Sequence, residues 1–176
     1  MARRSIAWVL AVVAPAVMAD ALMGQVTAVT GGDTLRIADG RSHAQFAVRI
    51  AGIQAPDRSH RFGSRAHQHL GALVSGRVVR IESATPIRDG IVSARVFVAN
   101  ADCQTPNCPQ DIDVGLHQVK DGLAWWAPHT AGGWPVGEPG NYQQAEFQAK
   151  IHRLGLWAGR DTFPPWQTRP ISPASR

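Results

Sequence analysis

Short stretches in which apolar and polar residues alternate fill the first half of the chain after residue 21. They span residues 25–29, 34–37, 44–50, 77–83 and 92–98, and Gly, Asp, Asn or Pro residues separate them. Alternation that is rich in β-branched residues predicts five short strands. Between the third and fourth stretches, apolar residues recur at helical spacing from Ala66 to Val74 and Gly76 follows, so residues 64–74 are predicted to form a helix.

The second half of the chain has the spacing of helices. Asp113 is a suitable N-cap for a short helix that ends at Gly122, and Asn141 for a longer helix that runs to Leu154. A Gly/Pro-rich loop, residues 128–140, lies between them. The order of elements predicts an α+β, mainly β fold: a five-stranded Greek-key barrel of the oligonucleotide/oligosaccharide-binding (OB) type, packed against about three helices.

The N-terminal residues differ in composition from the rest. Arg3 and Arg4 precede an apolar run over residues 6–18, and small residues follow up to Ala21, which is the pattern of a secretory signal peptide. An uncleaved membrane anchor is the less favoured alternative, because a spanning helix needs ~20 apolar residues. We therefore expect a signal peptide over residues 1–21, a folded domain over 22–169, a flexible tail over 170–176, and a secreted or periplasmic protein.

Export would place Cys103 and Cys108 in an oxidising compartment, where thiols pair. The residues between them are turn-forming, which favours a disulfide. A metal site is the rival interpretation, but two thiols without a Cys or His partner at zinc-finger spacing make a poor ligand set. The net charge of +5 permits a polyanionic ligand without requiring one, because ordinary solubility explains a charge of this size equally well.

Two charged residues mark a candidate site. Asp33 follows two glycines at a predicted turn, where the backbone can approach a ligand closely, although a plain hairpin has the same sequence. Arg49 lies on an otherwise apolar strand, where a guanidinium must find a partner or a ligand. It could grip a phosphate through two parallel hydrogen bonds. A structural salt bridge to Asp33 or Asp57 is the alternative.

The ordered set of motifs resembles the staphylococcal nuclease (thermonuclease-like) family. The motifs are residues 29–35 (VTGGDTL), 48–57 (VRIAGIQAPD), 62–63, 115–116, 121–125, 142–146, 155–157 and 164–166. The resemblance covers roughly residues 24–169 and implies calcium-assisted hydrolysis of phosphodiesters. It also implies roles at single positions: Asp33 and the Ala55 carbonyl as calcium ligands, Arg49 as a phosphate clamp, and Asp57 as the group that positions or activates the attacking water. The side-chain carbonyl of Gln54 can serve as a further calcium ligand.

The chain departs from the family pattern at several of these positions. Gly31 and Gln54 stand where the family has aspartates, Asp57 stands where it has a glutamate, and Ile91 stands where it has a second phosphate-binding arginine. Fewer carboxylates should hold calcium less tightly. Arg88, in the same turn as Ile91, is the candidate replacement for the missing arginine.

The sequence thus favours an exported, calcium-assisted nuclease of DNA or RNA, weakened by these departures, which is monomeric and free of the membrane after signal cleavage. One alternative is a catalytically impaired relative that binds nucleic acid or another polyanion. Another is an envelope interaction or structural domain that uses neither groove nor metal. His67 and His69 lie two apart on a predicted helix and therefore point to different faces, which makes them a poor zinc pair. They are interpreted as surface residues.

Overall fold

The computed structural model describes residues 22–86, 90–103, 105, 107–159 and 163–167. The predicted signal peptide, the predicted tail and Arg88 lie outside these residues. The strands are β1 Leu22–Val29, β2 Thr34–Asp39, β3 Gln45–Ile50, β4 Ile53–Gln54, β5 Val78–Pro86, β6 Ile91–Val98, β7 Ile112–Asp113 and β8 Trp125–Trp126. The helices are α1 Gly63–Val74, α2 Val114–Lys120 and α3 Glu138–Ile151, with short 3-10 helices at Pro128–Thr130 and Gly155–Ala158.

The five long strands close into a barrel. Their order is β3-β2-β1-β5-β6, with antiparallel neighbours, and a parallel pairing of β3 with β6 completes the ring. In that parallel pairing Arg49 lies opposite Ser93. Strand β7 extends the sheet beside β6, and β4 pairs with β8 separately. The predicted five-stranded barrel with three helices is therefore confirmed.

The core has the two periodicities that the sequence shows. On β2, Leu35 and Ile37 are fully buried while Arg36 between them is exposed, as alternation along a strand requires. Ala66 and Leu70, one turn apart on α1, are fully buried in the same cluster. The apolar face of α1 therefore packs directly on the barrel, which brings this helix close to the loops that follow β1 and β4.

Asp113 ties the second half of the chain to the barrel. Its carboxylate caps α2 by accepting the Leu116 N–H (3.1 Å), and it also accepts the Tyr142 hydroxyl (2.7 Å) and the Arg95 guanidinium (2.8 Å). Burial next to this carboxylate raises the pKa of Tyr142 well above its ordinary value. One buried acid thus joins β6, α2 and α3.

The start of α3 differs from the prediction. The helix begins at Glu138, preceded by Gly137 with a φ of +98°, so the assignment of Asn141 as its cap is wrong. Pro139 lies in the first turn, where an N–H has no helical partner, so this proline does not interrupt the helix. The helix ends at Ile151 rather than at Leu154.

Cys103 and Cys108 are joined by a disulfide in the segment between β6 and β7. Among the described residues, no helix combines the length and the apolar character needed to cross a bilayer.

Candidate active site

The predicted site residues of the described chain meet in one cavity of about 320 Å³. Its lining comes from the β1–β2 turn, from β3, from β4 with the loop that follows it, and from the 3-10 helix at residues 128–130. The predicted site residues among the lining are Asp33, Arg49, Gln54, Ala55 and Asp57. Three separate segments of the chain therefore bring together the acidic and basic groups that the sequence singled out.

The Asp33 carboxylate is held in a defined orientation. Its Oδ1 accepts the Thr34 hydroxyl (2.8 Å) and its Oδ2 accepts the Ala55 N–H (3.1 Å). The Asp33 carbonyl accepts the Ile50 N–H (2.8 Å), which fixes the backbone of the turn against the end of β3. Each carboxylate oxygen keeps a further lone pair that a ligand in the cavity can use.

Two glycines allow the site segments to approach one another. A Cβ on Gly32 would lie 2.6 Å from the Ala55 Cβ and 2.8 Å from the Ala66 Cβ. A Cβ on Gly63 would lie 2.0 Å from the Asp57 carbonyl oxygen. No side chain fits at either position without displacing backbone, so glycine lets the turn and the loop after β4 pack against α1.

Arg49 brings a positive charge to the lining of the cavity. It lies on β3 opposite Thr34, and its side chain is exposed between the buried Val48 and Ile50. No ion pair joins Arg49 to Asp33 or Asp57, although the structure describes all three residues. The geometry therefore favours an external anion, rather than an internal salt bridge, as the partner of this guanidinium.

The position of the absent second arginine contributes nothing polar. Ile91 is half-buried, pairs with Ala47 on β3, and does not line the cavity. Arg88, its predicted replacement, falls outside the described residues, so that role stays a prediction. The structure instead adds two basic residues that the sequence reasoning missed, Arg58 and His129.

These two residues reach the cavity by different routes. Arg58 follows Asp57 directly, and its guanidinium donates to the Thr30 carbonyl (3.4 Å) on the opposite wall. His129 belongs to the 3-10 helix of the Gly/Pro-rich loop, and its ring lies 5.1 Å from the Trp166 ring, edge to face. Adjacency to Asp57 could have revealed Arg58, whereas no local pattern distinguishes His129.

The chemistry of the lining fits calcium. Asp33, Gln54 and Asp57 carry side-chain oxygens, and the segment that contains Ala55 adds backbone carbonyls. Calcium prefers six to eight oxygen ligands, and its affinity rises with the number of carboxylates. Within the described residues, no three His, Cys, Asp or Glu side chains are grouped as metal ligands. The lining fits a hard cation held by few charges.

The interpretation of His67 and His69 as plain surface residues is wrong. His67 Nε2 lies 3.1 Å from the Val29 carbonyl oxygen. His69 contacts the Gln118 side chain through Nδ1, and its Nε2 lies 2.7 Å from Asp121 Oδ2. Both imidazoles are half-buried, and each tethers α1 to a neighbouring segment.

Comparison with known proteins identifies the family of this chain. A model of the staphylococcal nuclease homologue family matches residues 47–159, and the chain belongs to this family. A relative named micrococcal nuclease, from Shigella flexneri, is 30% identical over 152 residues, which cover 85% of this chain and 81% of the relative. Protein ParB from Escherichia coli is 29% identical over 176 residues, covering 96% and 94%.

An uncharacterized endonuclease, also from Escherichia coli, is 26% identical over 154 residues, which cover 86% of this chain and 87% of the relative. Relatives that are named as nucleases support a hydrolase that acts on phosphodiester bonds.

Proposed function

We propose that this protein is an exported nuclease that hydrolyses phosphodiester bonds of DNA or RNA with the help of calcium. The observation that carries the proposal is the meeting of Asp33, Arg49 and Asp57 in a single cavity. These residues come from the β1–β2 turn, from β3 and from the loop after β4. Two acids in the same cavity as an arginine that forms no ion pair within the described part of the chain suit a phosphate held next to a divalent cation.

Arg49 has the role of binding the phosphate. Its planar guanidinium can donate two parallel hydrogen bonds to phosphoryl oxygens, and it can stabilise the negative charge that accumulates on them during in-line attack. Its place between buried residues on a barrel strand keeps the base of the side chain fixed. This preorganisation is what makes a charge effective in a transition state.

Asp33, Gln54 and the Ala55 carbonyl are the groups that would hold calcium, which when bound acts as a Lewis acid on the phosphate oxygen. Asp57 is exposed in the cavity lining and has the role of orienting and deprotonating the attacking water. Aspartate is one methylene shorter than the glutamate of the family pattern, so the water must lie closer to the backbone of this loop.

We expect this protein to cleave phosphodiesters more slowly than a nuclease that has both phosphate-binding arginines. Removal of one preorganised donor to a developing charge commonly costs on the order of 10²–10³ in rate. Ile91 supplies no such donor. Arg58 and His129 line the same cavity and are positioned to recover part of this loss.

We also propose that the nuclease is monomeric.

Export to a periplasm or to the medium is supported by two features. The N-terminal sequence has the pattern of a signal peptide, and the Cys103–Cys108 disulfide is a bond that persists in oxidising compartments.

Cleavage of a fluorescently labelled oligonucleotide, with calcium and with excess chelator, tests the proposal. We expect cleavage by the native protein that chelator abolishes, and no cleavage by Arg49→Ala. Arg36→Ala is the matched control, because Arg36 is exposed on neighbouring β2 and does not line the cavity. Equal activity of the two variants, or activity that chelator leaves unchanged, would refute the assigned site.

A catalytically impaired binder of nucleic acid is the second candidate, and the replacement of an arginine by Ile91 favours it. Such a protein would bind the oligonucleotide without cutting it. Its affinity would fall steeply with salt, because phosphate contacts release counterions. Arg49→Ala would then weaken binding while cleavage stays absent in every variant.

A further inference from the structure

A chain of contacting polar side chains leads from the Asp33 turn to the protein surface. Gln118 on α2 is fully buried, and its amide nitrogen donates to the Gly32 carbonyl (2.6 Å) and to the Ala66 carbonyl (3.1 Å). Its amide oxygen contacts His69 Nδ1, and His69 Nε2 lies 2.7 Å from Asp121 Oδ2. The chain therefore connects α1, α2 and the backbone next to Asp33.

The direction of each hydrogen bond follows from the chemistry of the partners. Two backbone carbonyls can only accept, so the amide nitrogen of Gln118 must face them and its oxygen must face His69. Nδ1 of His69 is therefore a donor. Nε2 of His69 lies beside the half-exposed Asp121 carboxylate, which fixes the orientation of the imidazole ring.

A fully buried amide is unfavourable unless its polar atoms are satisfied. Here both atoms of the Gln118 amide have partners, and one of these partners is the carbonyl of the residue directly before Asp33. The close packing of Gly32 against Ala55 and Ala66 leaves this turn little room to shift. The hydrogen bond from Gln118 also fixes the orientation of the Gly32 carbonyl.

We propose that Gln118, held in place by His69 and Asp121, is a positioning residue for Asp33. It fixes the Gly32 carbonyl, and through the turn it keeps the Asp33 carboxylate aimed into the cavity and bonded to the Ala55 N–H. The effect of Gln118 on calcium binding rests on the proposed function, whereas its effect on the geometry of the turn does not.

Hydrogen exchange of single amides tests the geometry without any activity. The Ala55 amide reports on Asp33, and the Val26 amide, which donates to the Arg77 carbonyl, reports on the barrel as a whole. In Gln118→Met, which removes the donor but retains the bulk, we expect exchange at Ala55 to rise at least tenfold relative to Val26. Val119→Ala is the matched control, because Val119 is the next buried residue of α2. An equal ratio in both variants would overturn the proposal.

Two further measurements examine the roles of Asp121 and His69. Asp121→Ala alters a half-exposed site and should fold, and we expect a smaller rise of the same exchange ratio. Nitrogen NMR of the native protein should show the proton on Nδ1 of His69 that the Gln118 oxygen accepts, and an unprotonated Nδ1 would contradict this donor direction. An unchanged ratio in Asp121→Ala would remove His69 and Asp121 from the proposal.

The cleavage assay separates the inference from the proposed function. With an active native protein, Gln118→Met should require about tenfold more calcium for half-maximal cleavage, at an unchanged KM for the oligonucleotide. A raised exchange ratio together with an inactive native protein would refute the nuclease proposal and leave the positioning role intact. An unchanged calcium requirement in an active variant would overturn the positioning role.

Discussion

Replacement of Gln54 by aspartate should strengthen calcium binding. Gln54 ends β4 and lines the cavity, whose lining includes two carboxylates, Asp33 and Asp57. Two unit charges 4 Å apart interact with about 1 kcal/mol in water, so a third carboxylate at that distance should stabilise a divalent ion by about 2 kcal/mol. Since 1.4 kcal/mol corresponds to a factor of ten, the dissociation constant should fall roughly 30-fold.

Calcium titration of the native protein, Gln54→Asp and Gln54→Asn, followed by calorimetry at low ionic strength, measures this effect. Asparagine has the length of aspartate without its charge, so it separates shortening of the side chain from the added carboxylate. Gln45→Asp, on the exposed end of β3 away from the cavity, controls for net charge. Equal affinities of Gln54→Asp and Gln54→Asn would refute the placement of the cation beside residue 54.

Further predictions concern phosphate contacts and stability. Arg58→Ala should weaken oligonucleotide binding and reduce the salt slope of log affinity by about one, whereas Arg36→Ala should leave both unchanged. Asp113→Ala should cost roughly 3–5 kcal/mol in urea denaturation, because it removes the α2 cap and the acceptor of the Tyr142 hydroxyl and leaves the buried Arg95 with the partly exposed Glu138 alone; a loss below about 1 kcal/mol would contradict that assignment. Burial lowers the pKa of His117, so the unfolded chain binds this proton at higher pH than the folded chain does. Stability should therefore fall as the pH drops below about 6.5, and denaturation of His117→Gln should show a flatter dependence there.

The barrel strands and α1 could be predicted from local patterns, because alternation and helical spacing depend only on residues that are close together in the sequence. The strand predicted over residues 92–98 is observed as Ile91–Val98, and the helix predicted over 64–74 as Gly63–Val74. The two-residue strands β4 and β8 could not be predicted in this way. Each forms a strand only because it pairs with the other, and the two are far apart in the sequence.

The same distinction separates the parts of the site that were predicted from those that were not. The motifs around Asp33 and Arg49 are continuous in sequence, so the resemblance to a family could identify them. Gln118 and His69 acquire their contacts only when α1, α2 and the β1–β2 turn pack together. His129 enters the cavity from a loop whose conformation depends on long-range contacts, such as the bond from the Gly52 N–H to Thr130.

Asp33 and Arg49 should act together in one cavity, Asp33 by holding calcium and Arg49 by binding the phosphate. A double-mutant cycle tests it most directly, with single-turnover cleavage rates of the native protein, Asp33→Ala, Arg49→Ala and the double variant at saturating calcium. Residues that act as a unit are strongly non-additive, so the double variant should be about as slow as the slower single variant. Losses that simply multiply, or a single variant that cleaves at the native rate, would contradict the account.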